Sequence, residues 1–291
     1  MFRRPGLVIA TMLIVPAALA APPAASAQSP ALTRAGVERP VAVAHRGASA
    51  YAPENTIAAF ELAAEQGADM YELDVQETRD HRLVLMHDTT LARTTDAEQV
   101  FPGRAPWRVS GLSLAEIRKL DAGSWFDGDY EGERVPTLAD TLRAMSGSGM
   151  GLLLEIKVPH LYPGIESRVA AELRRRPEWL EPGRLVVQSF DWDSIRRFHA
   201  LMPDVPVGLL GTPSAGRLAE LARFADQINP PYQDITSAYV RLVHARGMRV
   251  LTWTVDDPAV MRRMLGHGVD GVISNRPDVL RDVLDEDRRA A

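Results

Sequence analysis

From residue 41 onward, short apolar runs alternate with stretches in which apolar positions recur every third or fourth residue. The runs cover 41–44, 70–75, 83–86, 151–156, 185–189, 207–210, 226–229, 250–254 and 271–274. Helical patterns lie between them over 56–66, 114–120, 138–145, 165–175, 194–201, 238–246 and 259–265; Ala59, Leu62 and Ala63 mark the apolar face of the first. Strand followed by helix at this rhythm predicts a parallel sheet with helices packed outside it. No repeat of fixed period accompanies the alternation.

Nine runs are one too many for an eight-stranded barrel, and the segment "ELDVQETRDHRLVLMHD" accounts for the surplus. A parallel crossover takes about a dozen residues, more than separate Val75 from Leu83. Runs 70–75 and 83–86 are therefore expected to form an antiparallel hairpin that turns at Asp80 and His81 and sets His87 opposite Asp74. The other eight predict an α/β protein, a (β/α)8 TIM barrel spanning residues 40–285, with a hairpin excursion after strand 2. A long connection, 88–148, precedes the strand carrying Glu155. It holds Pro102, Pro106, Trp107, Gly111, Trp125, Phe126 and Pro136. Long loops at the C-terminal ends of barrel strands usually shape the substrate mouth. Residues 286–291 read as a polar C-terminal tail.

Composition narrows the function classes. The 291 residues are 46% hydrophobic and 24% charged, with a formal net charge of −5. That balance argues against a sequence-independent nucleic-acid binder. There is no cysteine, so thiolate metal sites, thiol nucleophiles and disulfides are excluded. Arg3 and Arg4 precede a small-residue apolar run, 6–20, too short to make a good membrane span. Small-x-small sites follow at Ala18-Leu19-Ala20 and Ala25-Ser26-Ala27. Residues 1–27 are expected to be a signal peptide cleaved after Ala27, with 28–39 as a linker and a secreted or extracytoplasmic product that keeps no stable membrane anchor. An uncleaved anchor or a plain tail is the alternative. The arginine pair also admits a twin-arginine route.

Candidate chemistry gathers at strand ends. Glu72 and Asp74 are two residues apart on a strand, so their carboxylates share a face. Adjacent carboxylates repel unless a cation lies between them, which suits a divalent metal. Glu155 and Lys157 repeat the spacing in "LLLEIKVP". A rim of internal salt bridges is the competing reading. His45 and His87 each end an apolar run, where an imidazole pair can take and give protons, although a lone strand-end histidine is more often structural. Arg46 offers a forked, permanently charged donor suited to phosphate, and Gly47 lets the backbone turn beside it.

The segments "HRGASAYAPENT", "YELDVQET", "LVLMHD" and "LLLEIK", followed by "LDAGSWF", "VPTL", "VVQSFD", "LTWTVDD" and "GVISNRPD", resemble the successive motifs of the glycerophosphodiester phosphodiesterase family. The resemblance covers residues 40–284. It implies that His45 and His87 are the acid/base pair, that Arg46 and Lys157 contact the phosphoryl group, and that Glu72, Asp74 and Glu155 bind one divalent cation, Ca2+ or Mg2+. Trp253 matches an aromatic lining the substrate cleft, with a buried packing role as alternative. Asn55 and Thr56, in the "PENT" segment, read as loop-fixing and helix-capping groups. The family commonly has glycine where His81 stands, which makes His81 an exposed turn residue.

The implied reaction is metal-assisted hydrolysis of a small glycerophosphodiester to glycerol 3-phosphate and an alcohol. Attack by the glycerol 2-hydroxyl through a cyclic phosphate and direct attack by water both remain open, as does which histidine is the base. Head-group preference is expected to depend on loop side chains around Trp107, Trp125, Phe126 and Trp253, whose positions the sequence does not give. The alternatives are a lysophospholipase D-type or sphingolipid phosphodiesterase on the same barrel, a non-catalytic glycerophosphodiester-binding protein, and a metal-dependent sugar isomerase. The pattern says nothing of oligomeric state.

Overall fold

The computed structural model describes residues 39–290, so the expected signal peptide and all but the last residue of the expected linker lie outside the described residues. Nine strands form one sheet: β1 (Val41–Ala44), β2 (Met70–Glu77), β3 (Leu83–Leu85), β4 (Gly151–Ile156), β5 (Leu185–Ser189), β6 (Val207–Leu210), β7 (Gln227–Asn229), β8 (Arg249–Thr252) and β9 (Gly271–Ser274). All except β3 pair in parallel with their neighbours. The ring closes through β1, which pairs with both β2 and β9. Eight parallel strands with helices on the outside make the expected TIM barrel.

Side-chain parity builds the two layers. Tyr71, Leu73 and Val75 of β2 point outward, into the main core shared with Leu152, Leu154 and the helices. The opposite parity fills the barrel. There Val43, Met70, Leu153, Val186, Leu251 and Ile273 form a closed apolar floor. Advancing two residues along each strand from this floor reaches His45, Glu72, Glu155, Gln188 and Trp253. Polar chemistry therefore sits directly above an apolar plug.

The hairpin exists, but its register is one residue away from expectation. Val75 pairs with Leu85, Gln76 with Val84 and Glu77 with Leu83, and the Met86 amide donates to Asp74 O at 3.0 Å. Asp74 thus faces Met86, not His87. The cause is a three-residue turn: Thr78 N donates to Arg82 O at 3.0 Å, and His81 takes the left-handed conformation with φ 59°. A residue in that region closes three-residue hairpin loops, which is the reason glycine suits the position. The His81 side chain is 71% exposed, as expected of a turn residue, and its ring pairs with Glu77.

Two further boundaries differ. The helix expected over 114–120 stops after one turn, Leu114–Ile117, opened by a Ser113–Glu116 capping box. Residues 286–290 of the segment read as a polar tail are the end of a 14-residue helix, Pro277–Ala290, whose Leu280, Val283 and Leu284 are buried; residue 291 lies outside the described residues. Its polar end continues that amphipathic turn pattern. The connection 88–148 carries its own apolar cluster around Leu91, Val109, Leu112, Ile117 and Leu120, packed on Val84 of β3. Among the described residues, no helix is long and apolar enough to cross a membrane.

Candidate active site

The loop after β1 is shaped by close contacts. Arg46 adopts φ 54° and Gly47 φ 84°. A Cβ on Gly47 would lie 2.6 Å from the carbonyl carbon of Ala59, so only glycine lets the loop pass this close to the helix Ile57–Glu65. Thr56 caps that helix through the Ala59 amide, as expected. Asn55 fixes the loop to β2: its side chain donates to Asp74 Oδ2 at 2.9 Å and accepts from the Asp74 amide at 3.1 Å. The Arg46 amide donates to Glu72 Oε2 at 2.8 Å.

These anchors bring the expected groups together. Glu72, Asp74 and Glu155 are buried, and each offers an oxygen within 4.8 Å of the others. Asp74 and Glu155 are register partners on β2 and β4. Lys157 Nζ lies 2.9 Å from Glu155 Oε1 and 3.5 Å from Asp74 Oδ1, while Arg46 Nε lies 3.4 Å from Asp74 Oδ2. Two cationic side chains thus face three carboxylates. Burial, together with the Asp74 and Glu155 charges, raises the Glu72 carboxyl well above its usual range; burial and the Asp74 charge push Glu155 up to about 7. Burial also works against the charge of Asp74, but Lys157 and Arg46 outweigh it and lower its pKa. An oxygen-only donor set carrying one excess negative charge fits a hard divalent cation. The salt-bridge reading explains only part of the cluster.

His45 lines the same cleft, with its ring Nδ1 2.7 Å from Asn275 Oδ1. The Asn275 amide is oriented by Asp256, which accepts from its Nδ2 at 2.7 Å and from its backbone N–H at 2.8 Å. The oxygen of Asn275 therefore faces the imidazole, Nδ1 carries the proton, and Nε2 is left as an acceptor. Burial and the Arg46 charge lower the His45 pKa to about 4. His87 reaches the cleft from the chain beyond β3. The buried amide of Gln76 donates to the carbonyls of Met86 and Asp88, at 2.7 and 2.6 Å, and holds this turn. Asp88 Oδ1 accepts from the ring Nδ1 of His87 at 2.8 Å.

Lys157 and Trp253 also line the cleft. Trp253 packs edge-on against Phe190, with ring centroids 5.6 Å apart, and its indole N–H donates to Asn229 O. Trp107, Trp125 and Phe126 are not among the lining residues: Trp107 packs on the 88–148 cluster, and Trp125 and Phe126 pack on each other. Phe190, half-exposed and not singled out in the sequence, takes the mouth position instead. Asn275 and Asp256 were likewise missed as holders of His45, although both stand in the motif segments "GVISNRPD" and "LTWTVDD". A wider surface depression of about 540 Å3, formed by residues 129–136 with Ile57, Arg118 and Asp140, shares no lining residue with the cleft.

The profile of the glycerophosphoryl diester phosphodiesterase family matches residues 45–279. The chain belongs to that family. Family membership makes it a phosphodiesterase of the glycerophosphodiester class, in agreement with the sequence motifs. A glycerophosphodiester phosphodiesterase of Bacillus subtilis is 36% identical over 263 residues, covering 84% of this chain and 87% of that protein. Another, from Caldanaerobacter subterraneus, is 37% identical over 83% of this chain and 96% of its own length. Among solved structures, a phosphodiesterase from Oleispira antarctica in complex with its product sn-glycerol-3-phosphate superposes with a TM-score of 0.76 at 32% identity, over 85% of this chain and 97% of that one.

Proposed function

We propose that the protein is an exported, metal-dependent phosphodiesterase that cleaves glycerophosphodiesters into glycerol 3-phosphate and an alcohol, with His45 and His87 as base and acid. The observation that carries the reading is the convergence of Glu72, Asp74 and Glu155 within 4.8 Å in the cleft that both histidines line. A Ca2+ or Mg2+ ion held by these carboxylates would polarise a phosphoryl oxygen and offset charge developing on phosphorus. Arg46 and Lys157 bind the remaining phosphoryl oxygens, Arg46 through a guanidinium fork and Lys157 as a point charge. His45 is neutral near pH 7 because its pKa is lowered to about 4, and its free Nε2 accepts the proton of the attacking hydroxyl. His87, which lines the same cleft and is hydrogen-bonded to Asp88, gives the leaving alkoxide its proton. Trp253 and Phe190 line the cleft beside these groups.

The deciding assay uses purified mature protein and glycerophosphocholine. Glycerol 3-phosphate should appear, stop with chelator and return on adding Ca2+ or Mg2+. Choline phosphate as product, or cleavage indifferent to chelator, contradicts the reading. Export is tested separately by intact mass of the protein recovered outside the cytoplasm, which should begin at Gln28; a species retaining Met1 outside the cell contradicts cleavage after Ala27.

A further inference from the structure

The loop carrying Arg46 and Glu54 and the segment carrying His87 come from different parts of the chain, and the side chain that joins them is Arg93. Its Nε and Nη2 donate to Asp88 Oδ2 and Oδ1 at 2.7 and 3.1 Å. Its Nη1 and Nη2 donate to Glu54 Oε2 and Oε1 at 2.8 and 2.7 Å. Each carboxylate passes the constraint onward. Asp88 accepts from His87 Nδ1 at 2.8 Å, and Glu54 Oε1 accepts from Arg46 Nη1 at 3.0 Å. The result is an unbroken chain of alternating charge, from the phosphate-binding guanidinium of Arg46 to the imidazole of His87. Arg93 itself is not among the residues that line the cleft, and its side chain is 44% exposed.

We propose that Arg93 is a positioning residue: by gripping Asp88 with one edge of its guanidinium and Glu54 with the other, it holds the His87 ring and the Arg46 fork in a single mutual geometry. A planar guanidinium with bidentate contacts on two sides sets the relative orientation of both partners, which a flexible ammonium cannot do. Arg93 is 44% exposed and Asp88 32%, and pairs at this exposure contribute little to stability; Glu54, at 12%, keeps Arg46 as a second cationic partner when Arg93 is removed. The value of this arrangement is therefore geometric. His87 handles a proton and Arg46 holds the phosphoryl oxygens, so their relative placement decides whether the leaving oxygen meets its proton donor. Misplacement of a reacting group by about 1 Å costs on the order of 10²-fold in rate.

The inference rests on the functional reading above, and the test separates the two. Wild type, Arg93→Ala, Arg93→Lys, Asp88→Asn, Glu54→Gln and the Arg93→Ala/Glu54→Gln double variant are compared by steady-state kinetics on glycerophosphocholine with saturating cation. Thermal unfolding midpoints are measured alongside. Asp88→Asn should lower mainly kcat and Glu54→Gln should raise mainly KM. Arg93→Ala should do both, with kcat/KM down about 10²-fold and the unfolding midpoint nearly unchanged. Arg93→Lys should fail to restore either constant, and adding Glu54→Gln to Arg93→Ala should raise KM little further, since the two act through one link. Wild type without activity overturns the functional reading and this inference with it. An active wild type with Arg93→Ala within about twofold of it in both constants, or with effects of Arg93→Ala and Glu54→Gln on KM that multiply, overturns the inference alone.

Discussion

At the scale of single residues, the site is an exercise in strand parity. A step of two positions above the apolar floor turns Val43 into His45, Met70 into Glu72 and Leu153 into Glu155, so ordinary barrel packing delivers reactive groups to one level. Replacing His45 or His87 by alanine should lower kcat by about 10²- to 10⁴-fold while leaving the circular dichroism spectrum and unfolding midpoint in place. Full turnover in either folded variant removes that histidine from the reaction. Gly47→Ala tests packing instead of chemistry. Its Cβ would meet the Ala59 backbone at 2.6 Å in a residue whose φ is +84°. Overpacking and left-handed strain together should cost about 2 kcal/mol or more, read as a lower urea midpoint; an unchanged midpoint contradicts the tight approach.

At the scale of elements, the loops behave as small structures with their own anchors. Asp121 organises residues 121–132: Oδ1 accepts from the Gly123 and Ser124 amides, and Oδ2 from the Gly132 amide and the Ser124 hydroxyl. Burial opposes the charge of Asp121, but the bonds from Ser124, Gly132 and Gly123 outweigh it, bringing its pKa from 3.8 to about 2. A depressed carboxyl stabilises the fold fully above its unfolded pKa, and this contribution is lost as pH falls through the folded value. The stability difference between wild type and Asp121→Asn should therefore hold above about pH 5 and close between about pH 4 and 2. Chemical denaturation at stepped pH reads this directly, and a difference that persists undiminished to pH 2 contradicts it. The hairpin of β2 and β3 makes the complementary point. Its three-residue turn, closed by His81, sets the register that brings Met86 opposite Asp74 and delivers His87 one position later.

At the scale of the whole molecule, the three carboxylates link ion binding to folding. Their mutual repulsion is present in the folded barrel and dispersed in the unfolded chain, so a cation that binds the folded form adds RT ln(1 + [L]/Kd), about 2.7 kcal/mol at a hundredfold excess over Kd. Ca2+ or Mg2+ should therefore raise the unfolding midpoint of wild type. Glu155→Gln should abolish most of that increase and, in the absence of cation, should unfold no more easily than wild type, because it removes one repelling charge. An equal cation-induced shift in both proteins would place the ion elsewhere.

The linear pattern and its motifs determined the eight parallel strands, the extra hairpin, seven residues that line the cleft and Asp74, which clusters with two of them. Those features depend on local periodicity and on motifs a few residues long, and a pleat of period two converts them directly into a shared face. Tertiary structure alone decided the hairpin register, the continuation of the last helix past the barrel, the choice of Phe190 over Trp107, Trp125 and Phe126 at the mouth, and the partners that orient each histidine. Asn275 meets His45 across 230 positions of sequence, and Glu54 meets Arg93 across 39. Such contacts arise from closure of the barrel and the packing of separate loops, and no local pattern of polar and apolar residues carries information about them.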